Sequence, residues 1–264
     1  MSTGPSTGPS AGASGAGRVL VTGGASGLGA AIVRALAASG HDVAFTYRSS
    51  GDRAEALLSE LGRTHPDRRV TAHALDLSDR AALDAFCEAI EGESWHGLVH
   101  NAGQSADALA AMLAQDRAEA AMQVNFWSLT RLAKALVRGM IRVRRGRIVA
   151  IGSVAALQAN AGNAAYAASK GALISYCRTL AIESAKRGVT VNVIAPGFID
   201  TDMMAPYAAH REGMERQIPA GRFAQPAEVA ALATFLMGEG AGYITGAVLP
   251  VDGGLTAMMG VHRS

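Results

Sequence analysis

The feature that most constrains this chain is an alternation: from Arg18 onward, short β-branched runs are separated by longer stretches of helical length and composition. The runs are RVLVT (18–22), DVAFTY (42–47), RVTAHAL (69–75), GLVHN (97–101), GRIVAIGS (146–153), VTVNVIAP (189–196) and GAVLPVDGG (246–254). Helices are expected over 28–39, 52–62, 79–91, 116–143, 164–187 and 226–237. Strands joined by helical crossovers lie parallel, because two parallel strands cannot be linked by a tight turn. The expected fold is α/β, a doubly wound domain over 18–264 with a seven-stranded parallel sheet flanked by helices.

Such a sheet is buried on both faces, and 49% hydrophobic residues against 17% charged, over 264 residues, can cover it. The net charge of +2, from 24 basic and 22 acidic residues, argues against a nucleic-acid surface and against a polybasic membrane patch. No run of 18 apolar residues offers a membrane span. The opening MSTGPSTGPSAGASGAG is uncharged and lacks an apolar core, so residues 1–17 read as a disordered tail. Cys87 and Cys177 lie far apart in apolar helical patterns, without CxxC spacing or a histidine cluster. Both are expected to be buried free thiols, which suits a reducing cytoplasm, and no metal site is expected.

Directly after the first strand comes TGGASGLG, with Gly23, Gly24, Gly27 and Gly29 leading into a helix. Glycines at a strand-to-helix turn let the backbone approach a pyrophosphate, whose charge the helix N-terminus stabilises, so the turn reads as one end of a dinucleotide site in a Rossmann-type domain. About 20 residues further on, where an acidic residue would bind the ribose hydroxyls of NAD, the chain reads TYRSS (46–50). Arg48, with Ser49 and Ser50, would instead meet a 2′-phosphate by charge-assisted hydrogen bonds, which favours NADP.

TGGASGLG, HNAG (100–103), VN (124–125), IGS (151–153), YAASK (166–170) and APGFIDTDM (195–203) occur in this order, and with them the chain resembles the short-chain dehydrogenase/reductase family from Arg18 to about Leu255. Within that family it looks most like the 3-oxoacyl-[acyl-carrier-protein] reductases, through GRIVAIGSV, RGVTVNVIAPGFIDTDM, IPAGRF and GYITGAVLPVDGG. The resemblance implies a catalytic set of Asn125, Ser153, Tyr166 and Lys170. It implies a cofactor groove formed by Gly23, Ser26, Gly27, Leu28, Gly29, Tyr47, Arg48, Ser49, Asp76, Leu77, Asn101, Ala102, Gly103, Tyr166, Lys170, Pro196, Gly197, Ile199 and Thr201. Asp76 and Leu77 would sit by the adenine, and Ile199 and Thr201 would hold the nicotinamide carboxamide. Arg144 and Arg187 match two basic positions that engage the carrier protein in those reductases. His100 departs from the family's usual NNAG, and Ser26 stands where many NADP-dependent relatives carry a basic residue.

Tyr166 and Lys170 are four apart and so share one helix face. A nearby ammonium favours the phenolate, and lowering the phenol pKa by roughly two units corresponds to about 2.7 kcal/mol. The tyrosine could then protonate a ketone oxygen during hydride transfer, with Ser153 stabilising the developing alkoxide. By the resemblance, Lys170 also binds the nicotinamide ribose and Asn125 holds a water that resupplies the proton.

The uncharged segment 154–165 and Met203, Met204, Tyr207 and Met214 suggest an apolar lid suited to an acyl chain, with Arg211, Glu212, Glu215 and Arg216 on its solvated face. The helix over 164–187 is apolar on several sides, which suggests a homo-oligomer, dimeric or tetrameric. Three readings stay open: a carrier-protein-dependent 3-oxoacyl reductase of fatty-acid or polyketide-type synthesis, a dehydrogenase of a small free alcohol or ketone, and a cofactor-binding regulatory protein without catalysis.

Overall fold

The computed structural model describes residues 16–258. Seven strands, β1 (Ala16–Val21), β2 (His41–Tyr47), β3 (Val70–Ala74), β4 (Gly97–His100), β5 (Gly146–Ile151), β6 (Val189–Pro196) and β7 (Val248–Val251), form one sheet in the order β3-β2-β1-β4-β5-β6-β7. Every pairing is parallel. The order reverses between β1 and β4, and in open sheets of this kind the crevice beyond the carboxyl ends of those strands is the binding place.

The helices are α1 (Gly27–Ala38), α2 (Gly51–Thr64), α3 (Arg80–Ile90), α4 (Gln115–Met122), α5 (Ser128–Val143), α6 (Ala164–Ala185), α7 (Arg211–Glu215) and α8 (Pro226–Met237). They cover both faces. One core joins Leu83, Leu129, Leu132, Leu136 and Leu173 of α3, α5 and α6 to Leu20, Leu98 and Ile148 of the sheet. The other joins Ile32, Leu36, Leu57, Leu61 and Val229 of α1, α2 and α8 to Val19, Phe45 and Val149. Adjacent strand positions such as Val19 and Leu20 feed opposite cores, as side-chain alternation requires. Among the described residues no helix is long and apolar enough to cross a membrane.

Three details differ from the reading of the sequence. Of the expected tail, residues 1–15 lie outside the described residues, but Ala16 and Gly17 belong to β1, with Ala16 in register with His41. Alanine and glycine are poor strand formers, so composition hid a strand end; a Cβ on Gly17 would come within 2.7 Å of His96 Cβ, so packing demands a glycine there. The stretch 116–143 is two helices joined by a π-turn over Gln123–Trp127. The π-turn has no compositional mark; Ser128 Oγ donates to the Val124 carbonyl at 2.6 Å, and Gln123 Nε2 to the Leu77 carbonyl at 3.1 Å. Both cysteines are free and Cys177 is buried, but Cys87 is half-exposed, because it faces the flank of α3 shared with Asp84.

Candidate active site

The glycine turn is built by sterics before it is built for a ligand. Gly23 has φ +66°, a left-handed backbone that side chains avoid, and a Cβ on Gly29 would lie 1.9 Å from the Gly23 carbonyl. The first turn of α1 carries no acidic residue, and Ser26, its N-cap, is exposed with no side-chain capping bond. That leaves the positive end of the helix unneutralised. A methyl at Gly27 would touch Thr201 Cγ2 at 3.4 Å, so the segment after β6 reaches across to the turn. A dinucleotide's anionic centre fits this cradle.

Asn101 is spent on the architecture of the groove. Its Nδ2 donates to the carbonyls of Thr22 and Gly23, both at 3.1 Å, and its main-chain N–H donates to Thr22 Oγ1 at 3.0 Å. Leu28 and Leu77 turn their side chains into the two cores, so what they offer a nucleotide is main chain. Arg48 and Ser49 are exposed at the end of β2, and among the described residues Arg48 makes no hydrogen bond or ion pair. Its guanidinium helps to hold the Asp76 carboxyl below the usual range, although the larger cause there is Ser78, whose hydroxyl donates at 2.7 Å. Arg48, Ser49 and Ser50, directly after β2, carry no carboxylate at the place where an acid would bind the ribose hydroxyls of NAD. The chain's residues therefore fit NADP.

Ser153 lies two residues beyond the end of β5, and its Oγ accepts from the Ala155 N–H at 3.1 Å. Tyr166 stands half-buried on the first turns of α6. Burial pushes its phenol above the ordinary value, while the nearby Ser153 hydroxyl works in the opposite direction. Lys170 is buried, with Nζ 5.8 Å from the centre of the Tyr166 ring, and burial pushes it down to about 8. Its ammonium donates to the Ile151 carbonyl at 2.7 Å. The expected depression of the phenol by the lysine is therefore not a property of the chain alone: burial is the largest influence and pushes the phenol up, and the ammonium is directed at the strand.

Asn125 lies in the π-turn and is fully buried. Its Oδ1 accepts from the Gln104 N–H at 2.7 Å, while its Nδ2 donates to the Gln104 carbonyl at 3.0 Å and to Ser169 Oγ at 2.8 Å. Both amide protons are thus taken, and the side chain clamps the loop after β4 to α6. Gly103 packs into the same corner, where a Cβ would lie 3.4 Å from Lys170 Nζ and 3.5 Å from Asn125 Oδ1. Ser169 was not singled out from the sequence, since a serine inside a helix gives no signal.

A second unforeseen pair sits at the mouth. Tyr207 Oη donates to Asp107 Oδ2 at 2.8 Å, fastening the lid (Asp202–His210) to the loop after β4. The charge of Asp107 also opposes ionisation of Tyr166. Next to the lid lies a cavity of about 300 Å³ bordered by Thr201, Met204, Tyr207, Arg211 and Phe223. Ile199 and Thr201 are half-buried on the approach to it, and Pro196 and Gly197 end β6 beside Asp252. Arg211 forms a two-bond ion pair with Asp200, at 2.7 and 3.1 Å, so it braces the lid as well as facing solvent.

Arg144 and Arg187 come together, but not at this end of the sheet. Arg144 precedes β5 and Arg187 precedes β6, so both lie at the amino ends of strands whose carboxyl ends lead to the site. Arg144 adopts a left-handed backbone, φ 53°, and its Nη2 donates to the Lys186 carbonyl at 2.9 Å.

The family model described as Enoyl-(Acyl carrier protein) reductase matches residues 23–256. The chain is 40% identical over 240 residues to the 3-oxoacyl-[acyl-carrier-protein] reductase MabA of Mycobacterium tuberculosis, covering 90% of this chain and 92% of the relative. It is 40% identical over 239 residues to the 3-oxoacyl-[acyl-carrier-protein] reductase FabG of Escherichia coli, covering 89% and 96%. Among solved structures, a candidate NAD(P)-dependent gluconate 5-dehydrogenase of Beutenbergia cavernae, with NADP bound at low occupancy, superposes with a TM-score of 0.84 at 34% identity, covering 91% and 97%. A short-chain oxidoreductase of Burkholderia thailandensis gives 0.81 at 36%, covering 91% and 93%. With the glycine turn, the Ser153–Tyr166–Lys170 corner and these matches along most of its length, the chain belongs to the short-chain dehydrogenase/reductase family of nicotinamide-dependent oxidoreductases.

Proposed function

We propose that the protein reduces the ketone of a 3-oxoacyl thioester carried on acyl-carrier protein to the 3-hydroxyacyl thioester, with NADPH, in fatty-acid or polyketide-type synthesis. The observation that carries the reading is the meeting of Ser153, Tyr166 and Lys170 beyond the carboxyl ends of the central strands, on a chain 40% identical to 3-oxoacyl-[acyl-carrier-protein] reductases. Bound NADPH supplies the hydride. Tyr166 delivers the proton to the substrate oxygen, and Ser153 donates a hydrogen bond to the same oxygen as charge develops on it. Lys170, held by Ile151, keeps a cation beneath the tyrosine and binds the nicotinamide ribose. Asn125 holds the loop and α6 in register, leaving its main-chain carbonyl to receive the water of the proton relay. Arg48 and Ser49 would take the 2′-phosphate, and Ser26 would help to hold the pyrophosphate.

A basic ridge with Arg144 and Arg187 is the docking face for the acidic carrier. Ile182 on α6 is 81% exposed and Tyr243 wholly so, and these apolar faces support a homo-oligomer, dimeric or tetrameric, working in the cytoplasm.

A second reading, a dehydrogenase of a small polyol or its ketone, is favoured by the likeness to the gluconate 5-dehydrogenase structure. Asp107 weighs against an anionic sugar acid, since its carboxylate would stand near the bound anion. NADPH consumption measured with a 3-oxoacyl carrier-protein thioester, its free-thiol mimic, gluconate-type ketones and plain ketones separates the readings. Preference for the thioesters is expected; preference for the sugar acids overturns the proposal.

A further inference from the structure

One fully buried titratable side chain has no part in the chemistry above: His100, the last residue of β4. Its surroundings fix its protonation by counting. Thr22 Oγ1 accepts from the main-chain N–H groups of Asn101 and Ala102, both at 3.0 Å, and stands 3.2 Å from His100 Nδ1. A hydroxyl has two lone pairs and one proton. With both lone pairs engaged, the proton goes to Nδ1, which is therefore the bare nitrogen of the ring. The ring's own proton sits on Nε2, a buried atom without a hydrogen-bond partner among the described residues. It faces the main-chain carbonyls of Val124 and Asn125, which are acceptors in the π-turn. The cation nearby is Lys170, and together with burial it keeps the imidazole neutral, pushing it down to about 3.

We propose that His100, as the neutral Nε2–H tautomer, is a positioning residue that fixes the glycine turn and the Asn101–Ala102 peptides through Thr22. Through Nδ1 it sets the rotor of Thr22, whose oxygen then holds the Asn101–Ala102 peptides; Asn101 in turn holds the Thr22 and Gly23 carbonyls. The end of β4 and the glycine turn, which form the floor of the cofactor groove, are thus one hydrogen-bonded unit.

The experiment is ¹⁵N-labelled imidazole spectroscopy of the wild-type protein, with His100→Asn used to assign the His100 signals among the seven histidines, combined with cofactor kinetics. A bare Nδ1, a protonated Nε2 and no titration between about pH 6 and 8 are expected. The opposite tautomer, or a ring that titrates in that window, overturns the proposal. In kinetics, His100→Leu strands the Thr22 proton and is expected to raise the NADPH KM about tenfold with a much smaller change in kcat. His100→Asn, whose amide offers an acceptor and a donor in the same places, is expected to stay within about twofold of wild type. Equal KM values for the Leu and Asn variants overturn the coupling. Should the Leu variant not fold, the wild-type tautomer and an Asn-variant KM near wild type carry the proposal, and a tenfold loss in the Asn variant refutes it. The kinetic arm rests on the proposed nicotinamide-dependent reduction, while the spectroscopic arm does not, so a failed function and a failed His100 assignment are distinguishable.

Discussion

The Lys170 ammonium donates a 2.7 Å hydrogen bond to the main-chain carbonyl of Ile151, two residues before Ser153. The helix bearing Tyr166 is thereby fastened to the strand that delivers the serine, and the three groups are positioned by a single buried contact. Because burial lowers the lysine to about 8, the cation is present at neutral pH and is lost as pH rises through that value. The kcat/KM for ketone reduction is therefore expected to fall above about pH 8, and Lys170→Arg, which keeps its charge, to move the break to higher pH at a lower plateau. A pH–rate profile of both proteins checks this, and an unshifted break assigns the titration to another group.

Tyr166 is the proton donor of the proposed reaction, and its phenol contributes nothing to the core clusters. Tyr166→Phe is expected to lower kcat by about 10²-fold or more while leaving the unfolding midpoint close to wild type. Single-turnover rates together with thermal melts measure both sides of that statement.

Arg48 is exposed and unpaired among the described residues, so its charge is available to the 2′-phosphate. Charge-assisted bonds to a phosphate contribute about 1.5–3 kcal/mol, so Arg48→Ala is expected to raise the NADPH KM about tenfold or more and leave the NADH KM nearly unchanged. Equal effects on the two cofactors would locate the 2′-phosphate elsewhere.

Tyr207 and Asp107 hold the lid to the loop after β4 by one exposed hydrogen bond. Tyr207→Phe and Asp107→Ala are each expected to change the KM of the carbonyl substrate by a few-fold, and the double variant to add little to either, because both remove the same bond. Additive effects in a double-mutant cycle would mean that the two side chains act separately.

Acid should loosen the fold. His41, His73, His96 and His100 are all held below the ordinary imidazole value of 6.5, in each case first by burial. The unfolded chain then binds protons that the folded chain refuses, so stability is complete above about 6.5 and declines as pH falls below it, by up to about 1.4 kcal/mol per pH unit for each group. For His100 the window runs from 6.5 down to about 3. Urea midpoints at about pH 7.5 and about pH 5 should differ accordingly, and His100→Asn should flatten the slope.

The sheet was legible because its signal is local: β-branched runs such as VTVNVIAP and the helical stretches between them impose their own periods, and seven parallel strands follow from the alternation. The glycine turn was legible for the same reason, since left-handed backbone at Gly23 leaves a mark in the residue type. Tyr166 and Lys170 were visible as a pair because helix geometry places residues four apart on one face. What that spacing could not show was where the ammonium points: Ile151, its acceptor, is a backbone group 19 residues away, and backbone acceptors carry no residue signature. The π-turn at Asn125, the Asn125–Ser169 contact, the Tyr207–Asp107 bond and the Thr22–His100 contact belong to the same class. The sequence alone determined the elements and the kinds of chemical groups at their ends, because propensity and periodicity act between near neighbours. Only the tertiary structure decided which donor meets which acceptor and how far burial moves each proton, because hydrogen bonding and desolvation depend on distances between parts of the chain that packing alone brings together.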